Sequence, residues 1–564
     1  MAFQLSAGVN VSEIDLTTVI PSVATSTGAL VGPFAWGPCS EVITISDETR
    51  LVSRFGKPDS TNYEYWFSAA NFLAYGNNLK VVRAVNTTSS NNATANNGIG
   101  ILIKNRDDWT ANQQGNADGT NNGWAARYPG ALGNSLKISM ADSGSYTGWA
   151  YASQFTSAPS NSTYVAAKGG SNDEIHIVVV DEDGLFTGTA NTVLEKYAFV
   201  SKASDAKDDS GNSNYYKNVI AAQSQYVHWL AHPAAANVGT GTAWGSTANA
   251  TAFKTTTSNV TFSFSGGADG TIGTSQITTG WDLFKNSESV DISLCVTGTG
   301  NSTIATYVIS NIAETRKDCV AFISPPSTSV VNNPGSEAAA AVTFRNALTS
   351  SSYAVIDSGY KYQYDKYADL YRWVPLNGDI AGLCVRTDNE RDPWFSPGGM
   401  NRGVIKNVVK LAWNPTKTER DTLYVAGINP VVSFPGEGTV LFGDKTMLSK
   451  PSAFDRINVR RLFIVLEKAI ARASRFSLFE FNDQFTRAQF VAIVEPFLRD
   501  VQGRRGITDF KVVCDTTNNT AQVIDSNQFV GDIYIKPARS INFIQLNFVA
   551  VRSGVSFNEV VGSF

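Results

Sequence analysis

The chain has 564 residues, 43% hydrophobic and 17% charged; that is the balance of a soluble folded protein too long for one core, so two to four domains are expected. With 49 acidic and 45 basic residues the net charge is −4, which excludes a global field drawing the chain to nucleic acid or anionic lipid. Cys39, Cys295, Cys319, Cys384 and Cys514 are scattered, odd in number and form no CxxC pair, which excludes a zinc ribbon or a disulfide framework and suits a reducing cytoplasm.

The opening MAFQLSAGVNVSEIDL has no basic n-region and no long apolar h-region, so no secretory leader is expected. No uninterrupted apolar run of about 18 residues offers a membrane span. Residues 1–22 read as an extended arm: Gly8 precedes the alternating Val9-Asn10-Val11, and Pro21 closes the segment. Residues 23–85 read as α/β, with a strand in VATSTGALVG, an aromatic helix in YEYWFSAANFLAYG ended by Gly76, and a second strand from Leu79 to Val85.

From Asn86 to about residue 270 the chain turns rich in Asn, Thr, Ser and Gly. NTTSSNNATANNG and NQQGNADGTNNG read as loops, and Glu174 to Val180 reads as a strand ending in the turn Asp181-Glu182-Asp183-Gly184. This is the profile of an exposed β-rich insertion with long loops. From about residue 280 the α/β pattern returns. Val290 to Val296 and Cys319 to Ser324 are predicted core strands with the helix YVISNIAETRKD between them, hence a partly parallel sheet.

In the last third Val459, Leu462, Phe463, Leu466, Ile470 and Ala473 fall at helical spacing behind Asn458 as N-cap. Phe490, Ile493, Val494, Phe497 and Val501 do the same, with Pro496 to bend that helix and Gly503 to end it. Two strands are predicted to close the chain, one with Val530, Ile533 and Ile535, the other with Ile544, Leu546, Phe548 and Ala550 on one face.

Acyl or glycosyl chemistry needs a positioned acid, base and nucleophile. The only histidines are His176, His228 and His232, all inside the loop-rich insertion, so the later α/β region cannot complete a Ser-His-Asp triad by itself. His228-x-x-x-His232 supplies two metal ligands where three or four are needed. Asp181 to Gly184 lacks the spacing of a calcium loop, and Phe434-Pro435-Gly436-Glu437-Gly438 and Pro397-Gly398-Gly399 are turns rather than phosphate cradles. No catalytic, metal or cofactor-binding residue is therefore assigned. Between Lys450 and Arg505 there are 11 Lys/Arg and 6 Asp/Glu, a local +5. Arg460, Lys468, Arg472 and Arg475 lie mostly off the apolar stripe. They read as a solvated helix face or as a basic strip for an acidic partner; nucleic acid is the weaker partner because no aromatics interleave.

One region carries a family likeness. Residues 353–448 hold Val374-Pro375, Ala381-Gly382, Arg386-Thr387-Asp388, Trp394-x-x-Pro397-Gly398-Gly399, Gly427-Ile428-Asn429-Pro430 and Gly438-x-Val440-x-x-Gly443-x-x-Thr446. In that order they closely resemble the contractile tail sheath family of myophage tails and related injection machines. Asn458-Val459-Arg460-Arg461-Leu462 resembles the start of the family's inner helix. Phe34-Ala35-Trp36-Gly37-Pro38, Phe55-Gly56, Tyr75-Gly76-Asn77, Val81-Val82-Arg83-Ala84 and Tyr128-Pro129-Gly130-x-x-Gly133-Asn134-Ser135-Leu136 resemble sheath proteins of large T-even-like phages.

The resemblance implies a mixed α+β multidomain protein. Its parts would be an N-terminal arm at 1–22, a subtilisin-like middle domain at 23–85 with 271–449, a β-rich peripheral insertion at 86–270, and a C-terminal assembly domain at 450–564. It implies a non-enzymatic subunit without a cofactor that polymerises in six-fold stacked rings or helical strands around a tail tube. The subunits would be held extended and metastable, and contract to drive the tube through the host envelope. The implied partners are further copies, the tube protein, and the baseplate and tail terminator proteins, with no nucleic acid and no membrane insertion. The implied location is the virion tail, after assembly in the host cytoplasm. A phage-derived injection device is the alternative.

Exchanged strands would come from Val9, Val11 and Ile14 at one end and Phe543, Ile544, Leu546, Phe548 and Ala550 at the other. Arg460, Lys468, Arg472 and Arg475 would face the tube. Two rival readings use other parts of the chain: a hydrolase on the middle domain, and an adhesin-like binding module on the insertion.

Overall fold

Short apolar runs with no polar face build the centre of the molecule, as expected of strands buried on both sides. In Gly28–Gly32 (β1) every residue is buried. Leu30 enters one apolar cluster while Ala29 and Val31 enter another, the period-two alternation of a strand. β1 joins Ile43–Ile45 (β2), Leu79–Arg83 (β3), Leu294–Val296 (β4), Val320–Ile323 (β5), Ala354–Asp357 (β6) and Ile428–Asn429 (β7) in one seven-stranded sheet. The order is β7-β6-β5-β4-β1-β3-β2, parallel throughout except for β2 against β3. The computed structural model behind these statements describes residues 23–95, 100–114, 123–233, 243–542 and 544–546.

Helices cover both faces. On one, Trp66 and Phe72 of Tyr63–Leu73 (α1), Ile380 and Leu383 of Asn377–Glu390 (α2), and Ile457 and Ile464 of Ile457–Ser474 (α3) pack with Leu30, Val296 and Phe322. On the other, Trp281, Ile304, Ile312, Phe344 and Leu423 pack with Ala29, Ile323 and Ile356. The predicted strand over Val290 to Val296 is shorter than expected: only Leu294–Val296 pairs. Asp291 and Ser293 instead turn toward Lys468 of α3. Asn458 does not cap α3, which begins one residue earlier behind Arg456. Its buried side chain donates to the carbonyl of Trp394 at 3.3 Å, a tertiary use that helical spacing cannot reveal.

Arg83, at the end of β3, holds the Phe34–Pro38 loop. Its guanidinium donates to the carbonyls of Phe34 (2.6 Å), Gly37 (3.0 Å) and Ala35 (3.2 Å). That fixes Trp36 against Tyr128 (5.3 Å, edge-on) and Phe186 (5.0 Å, edge-on), rings that belong to the insertion. Asn86 donates to the carbonyl of Thr271 at 2.9 Å and ties the two ends of the insertion together. Beyond this root lies a four-stranded antiparallel sheet in the order Thr192–Ser201, Glu174–Asp181, Leu136–Asp142, Val260–Ser263. Trp124–Ala126 pairs with Val227–Trp229 beside it. The insertion is more than strands joined by loops: Trp124, Ile138, Ile177, Tyr216 and Trp229 form a core of their own.

The first compact unit ends at Phe476 and the second begins at Ser477. α3 therefore belongs with the parallel sheet, because its apolar residues complete that core, although residue 450 is the boundary read from sequence. In the second unit Gln484–Gly503 (α4) is capped by Asp483, which accepts from the amide of Thr486 at 2.8 Å, and carries Pro496 inside. Phe490, Val494, Leu498 and Val501 are buried on α4, which packs against Ile507–Val513 (β8), and β8 pairs antiparallel with Asp532–Pro537 (β9).

Candidate assembly surfaces

In open α/β sheets ligands bind outside the carboxyl ends of the strands where strand order reverses. Here that crevice lies beyond β1 and β4, and the loop after β4 reads Thr297-Gly298-Thr299-Gly300-Asn301. The loop faces protein. The Tyr65 ring of α1 occupies the space a Cβ on Gly298 (φ +74) would need, and Gly300 backs onto Pro325. Glu64 hydrogen-bonds the Thr299 hydroxyl, and the Asn377 amide donates to the carbonyl of Gly298 at 2.5 Å.

Behind this plug the polar side chains are linked to one another. Ser324 donates to Asp357 at 2.7 Å and accepts from the amide of Asn377 at 3.0 Å. Burial pushes the Asp357 carboxyl up to about 8. Lys361 meets Asp379 at 2.9 Å, both buried, and the Tyr75 hydroxyl donates to Asp379 at 3.2 Å. Ser324 is sealed from solvent. Among the described residues no three His, Cys, Asp or Glu side chains converge as metal ligands. What this arrangement can do is hold the sheet, α1 and α2 rigidly together.

The four basic positions of α3 and its end do not form one solvent-facing strip, which corrects the expectation for two of them. Arg460 is 4% exposed, with its guanidinium over Phe454 (3.9 Å) and Tyr353 (4.3 Å). Lys468 is drawn inward by Asp291 (2.9 Å), Asp318 (3.8 Å), the carbonyl of Ile292 and the Ser293 hydroxyl. Neighbouring Arg461 pairs with Asp388 at 2.6 Å, also buried. Arg472 is about half exposed and 3.7 Å from Asp291; Arg475 is exposed. The acidic partners lie about 70 to 180 residues upstream, where no helical periodicity points to them.

Of the strand-exchange candidates, Val9, Val11, Ile14, Phe543, Phe548 and Ala550 lie outside the described residues. Ile544 and Leu546 are described, sit in no strand, and are 77% and 71% exposed. Sequence reading missed a second apolar surface in this unit: Leu478, Phe479, Phe481 and Phe485 are all exposed, and Phe479 is held at φ +72. The signal was there in SLFEFNDQF, an apolar run at no helical spacing. β8 pairs only with β9 among the described residues, so each strand keeps one unladdered edge.

Comparison with known proteins gives these surfaces a context. The model of the phage tail sheath protein central domain matches residues 270–447, that of the phage tail sheath C-terminal domain matches 449–550, and that of the N-terminal region of Gp18 tail sheath domain III matches 25–84. The chain is 34% identical to the tail sheath protein of Vibrio phage KVP40, covering 99% of this chain and 100% of the relative. It is also 34% identical to the tail sheath protein of Enterobacteria phage T4, with 99% of each covered. The helical sheath of the anti-feeding prophage in its contracted state shares the fold (TM-score 0.51, 12% identity, 97% and 99% covered).

Proposed function

The chain belongs to the phage tail sheath protein family, and on that premise we propose how its parts work as a structural subunit of a contractile tail. The observation that carries the reading is the end-to-end match to phage tail sheath proteins at 34% identity. The subunits polymerise around a tail tube in an extended, metastable form and contract to drive the tube through the host envelope. No chemistry is asked of the chain. Its subtilisin-like layer serves as a rigid platform, in keeping with the plugged crevice between Gly298 and Tyr65.

Assembly runs through the second unit and the chain ends. Residues 1–22, with Val9, Val11 and Ile14, and the segment carrying Phe543, Ile544, Leu546, Phe548 and Ala550 add strands to neighbouring subunits. Main-chain hydrogen bonds supply affinity there and alternating side chains supply register. The exposed side chains of Ile544 and Leu546 support this, as do the open edges of β8 and β9. Toward the tube, Arg472 and Arg475 make weak contacts that hold the sheath yet let it detach. The baseplate and tail terminator bound the polymer at its ends, and the insertion sits on the periphery. Sedimentation of the purified chain tests the arms. The full chain is expected to pellet as polymer, and a chain lacking residues 2–22 to stay monomeric with unchanged far-UV circular dichroism. Polymer formation without the arm would reject strand exchange at that end.

A further inference from the structure

All three histidines of the chain lie in the insertion, and at His176 hydrogen bonding specifies the neutral ring. His176 lies flat on Phe155 (4.0 Å between centroids, 4°), with Phe199 and Tyr146 edge-on. The amide of Phe199 donates to its Nδ1 at 3.1 Å, so Nδ1 must be unprotonated, while Nε2 sits 2.9 Å from the carbonyl of Ser157 and donates to it. At His232, Trp229 Nε1 donates to the Tyr216 hydroxyl at 3.0 Å, and that hydroxyl lies 2.6 Å from Nδ1 of His232. Tyr215 lies at its other nitrogen, 3.4 Å away, and the charged group that bears on it is Lys217, whose ammonium stands over Trp229.

His228 is 1% exposed and stacked on Trp109 (5.1 Å, 11°), with no well-formed hydrogen bond at either nitrogen among the described residues; Arg127 and Arg106 are the charges that bear on it. Among the described residues no carboxylate is a hydrogen-bond partner or stacking neighbour of any of the three. An imidazolium would lose the bond from the Phe199 amide at His176, and at His228 would stand unpaired on Trp109 beside Arg127 and Arg106. The platform holds no histidine. Its inward-facing groups include carboxyls raised by burial: Glu64 beside Thr299 and Tyr360, Asp357 beside Ser324 and Asp379, and Asp379 beside Lys361 and Tyr75.

We propose that the insertion is an acid-operated module: protonation of His176, His228 and His232 opens it, while the parallel-sheet platform that carries it stays folded. This goes beyond the sheath reading and does not depend on it.

The two parts respond to pH with opposite sign. Burial holds all three imidazoles below their ordinary range, His232 at about 4. The unfolded chain takes up these protons near pH 6.5, so the stabilising contribution is complete above that and is lost as pH falls. Burial raises Asp357 to about 8, so its contribution is complete below the ordinary carboxylate range, falls steadily as pH rises above that range, and is gone above about 8. Acid therefore weakens the insertion and spares the platform.

Hydrogen exchange with mass spectrometry on the full chain at pH 7.5 and 5.0, corrected for intrinsic rates, tests this. Peptides over Leu136–Asp142, Glu174–Asp181 and Thr192–Ser201 are expected to lose protection at pH 5.0, by about 30-fold for each histidine protonated from a pKa near 6.5. Peptides over Val320–Ile323 and Ala354–Asp357 are expected to keep theirs. His228→Phe keeps the stack on Trp109 without a titrating ring, and His232→Gln keeps an acceptor for Tyr216. Each variant that matches the wild type at pH 7.5 should open at lower pH than the wild type. Retained protection in the insertion at pH 5.0, opening of both parts at one pH, or unchanged midpoints in both variants would overturn the proposal.

Discussion

Arg460 and Lys468 show how a charge pattern misleads at the scale of single residues. Both are cationic and lie off the apolar stripe, yet one is sandwiched between Phe454 and Tyr353 and the other is drawn to Asp291 and Asp318. A helical wheel reports spacing along one helix and is blind to acids supplied by distant segments. The Asn429 position was more legible. Its amide donates to the carbonyls of Ile356 (3.1 Å) and Lys445 (2.8 Å), and its oxygen accepts from the amide of Lys445 at 2.7 Å. The Gly427-to-Pro430 motif therefore marks a bridge between β6 and the following loop. Of the four basic positions, Arg472 and Arg475 remain accessible. Reversing both, Arg472→Glu with Arg475→Glu, is expected to leave the melting temperature within a few degrees of wild type, since exposed pairs contribute at most about 1 kcal/mol. It is also expected to abolish assembly templated by tube. Normal assembly on tube, seen by microscopy of the mixture, would remove these residues from the tube contact.

At the scale of elements, the core strands and both long helices of the last third were readable because apolar periodicity dictates them. The strand β1, the aromatic helix α1 and the helices α3 and α4 all form where spacing placed them. The expected terminal strand lies mostly outside the described residues; its described residues Ile544 and Leu546 sit in no strand, and a strand needs a partner that sequence does not name. The insertion was legible as β-rich, but its packed core was not, because its aromatics are spread over a hundred residues of polar loop. Trp36 joins that core to the platform through Tyr128, Phe186 and Tyr226. Trp36→Ala should cost about 3–5 kcal/mol at this junction. Hydrogen exchange should then show lost protection in the insertion and an unchanged β5–β6 pair. Equal loss in both parts would mean that they unfold as one.

At the scale of the whole molecule, the division of labour follows from what is sealed and what is open. The platform pairs the buried charges Lys361 with Asp379 and Arg461 with Asp388, and fills the crevice where related architectures take ligands. The second unit leaves apolar side chains in solvent, Leu478, Phe479, Phe481 and Phe485 among them. Contiguous apolar surface of that kind marks contact with other protein. Two unlike apolar segments in one unit, this one and the segment at Ile541, Ile544 and Leu546, favour head-to-tail contacts that propagate over a closed dimer. The central claim is therefore that the chain alone encodes a tubular polymer. Negative-stain electron microscopy of the purified full-length chain over rising concentration tests it most directly. Long hollow cylinders of uniform width are the predicted result; persistent monomers at the highest concentration would contradict it.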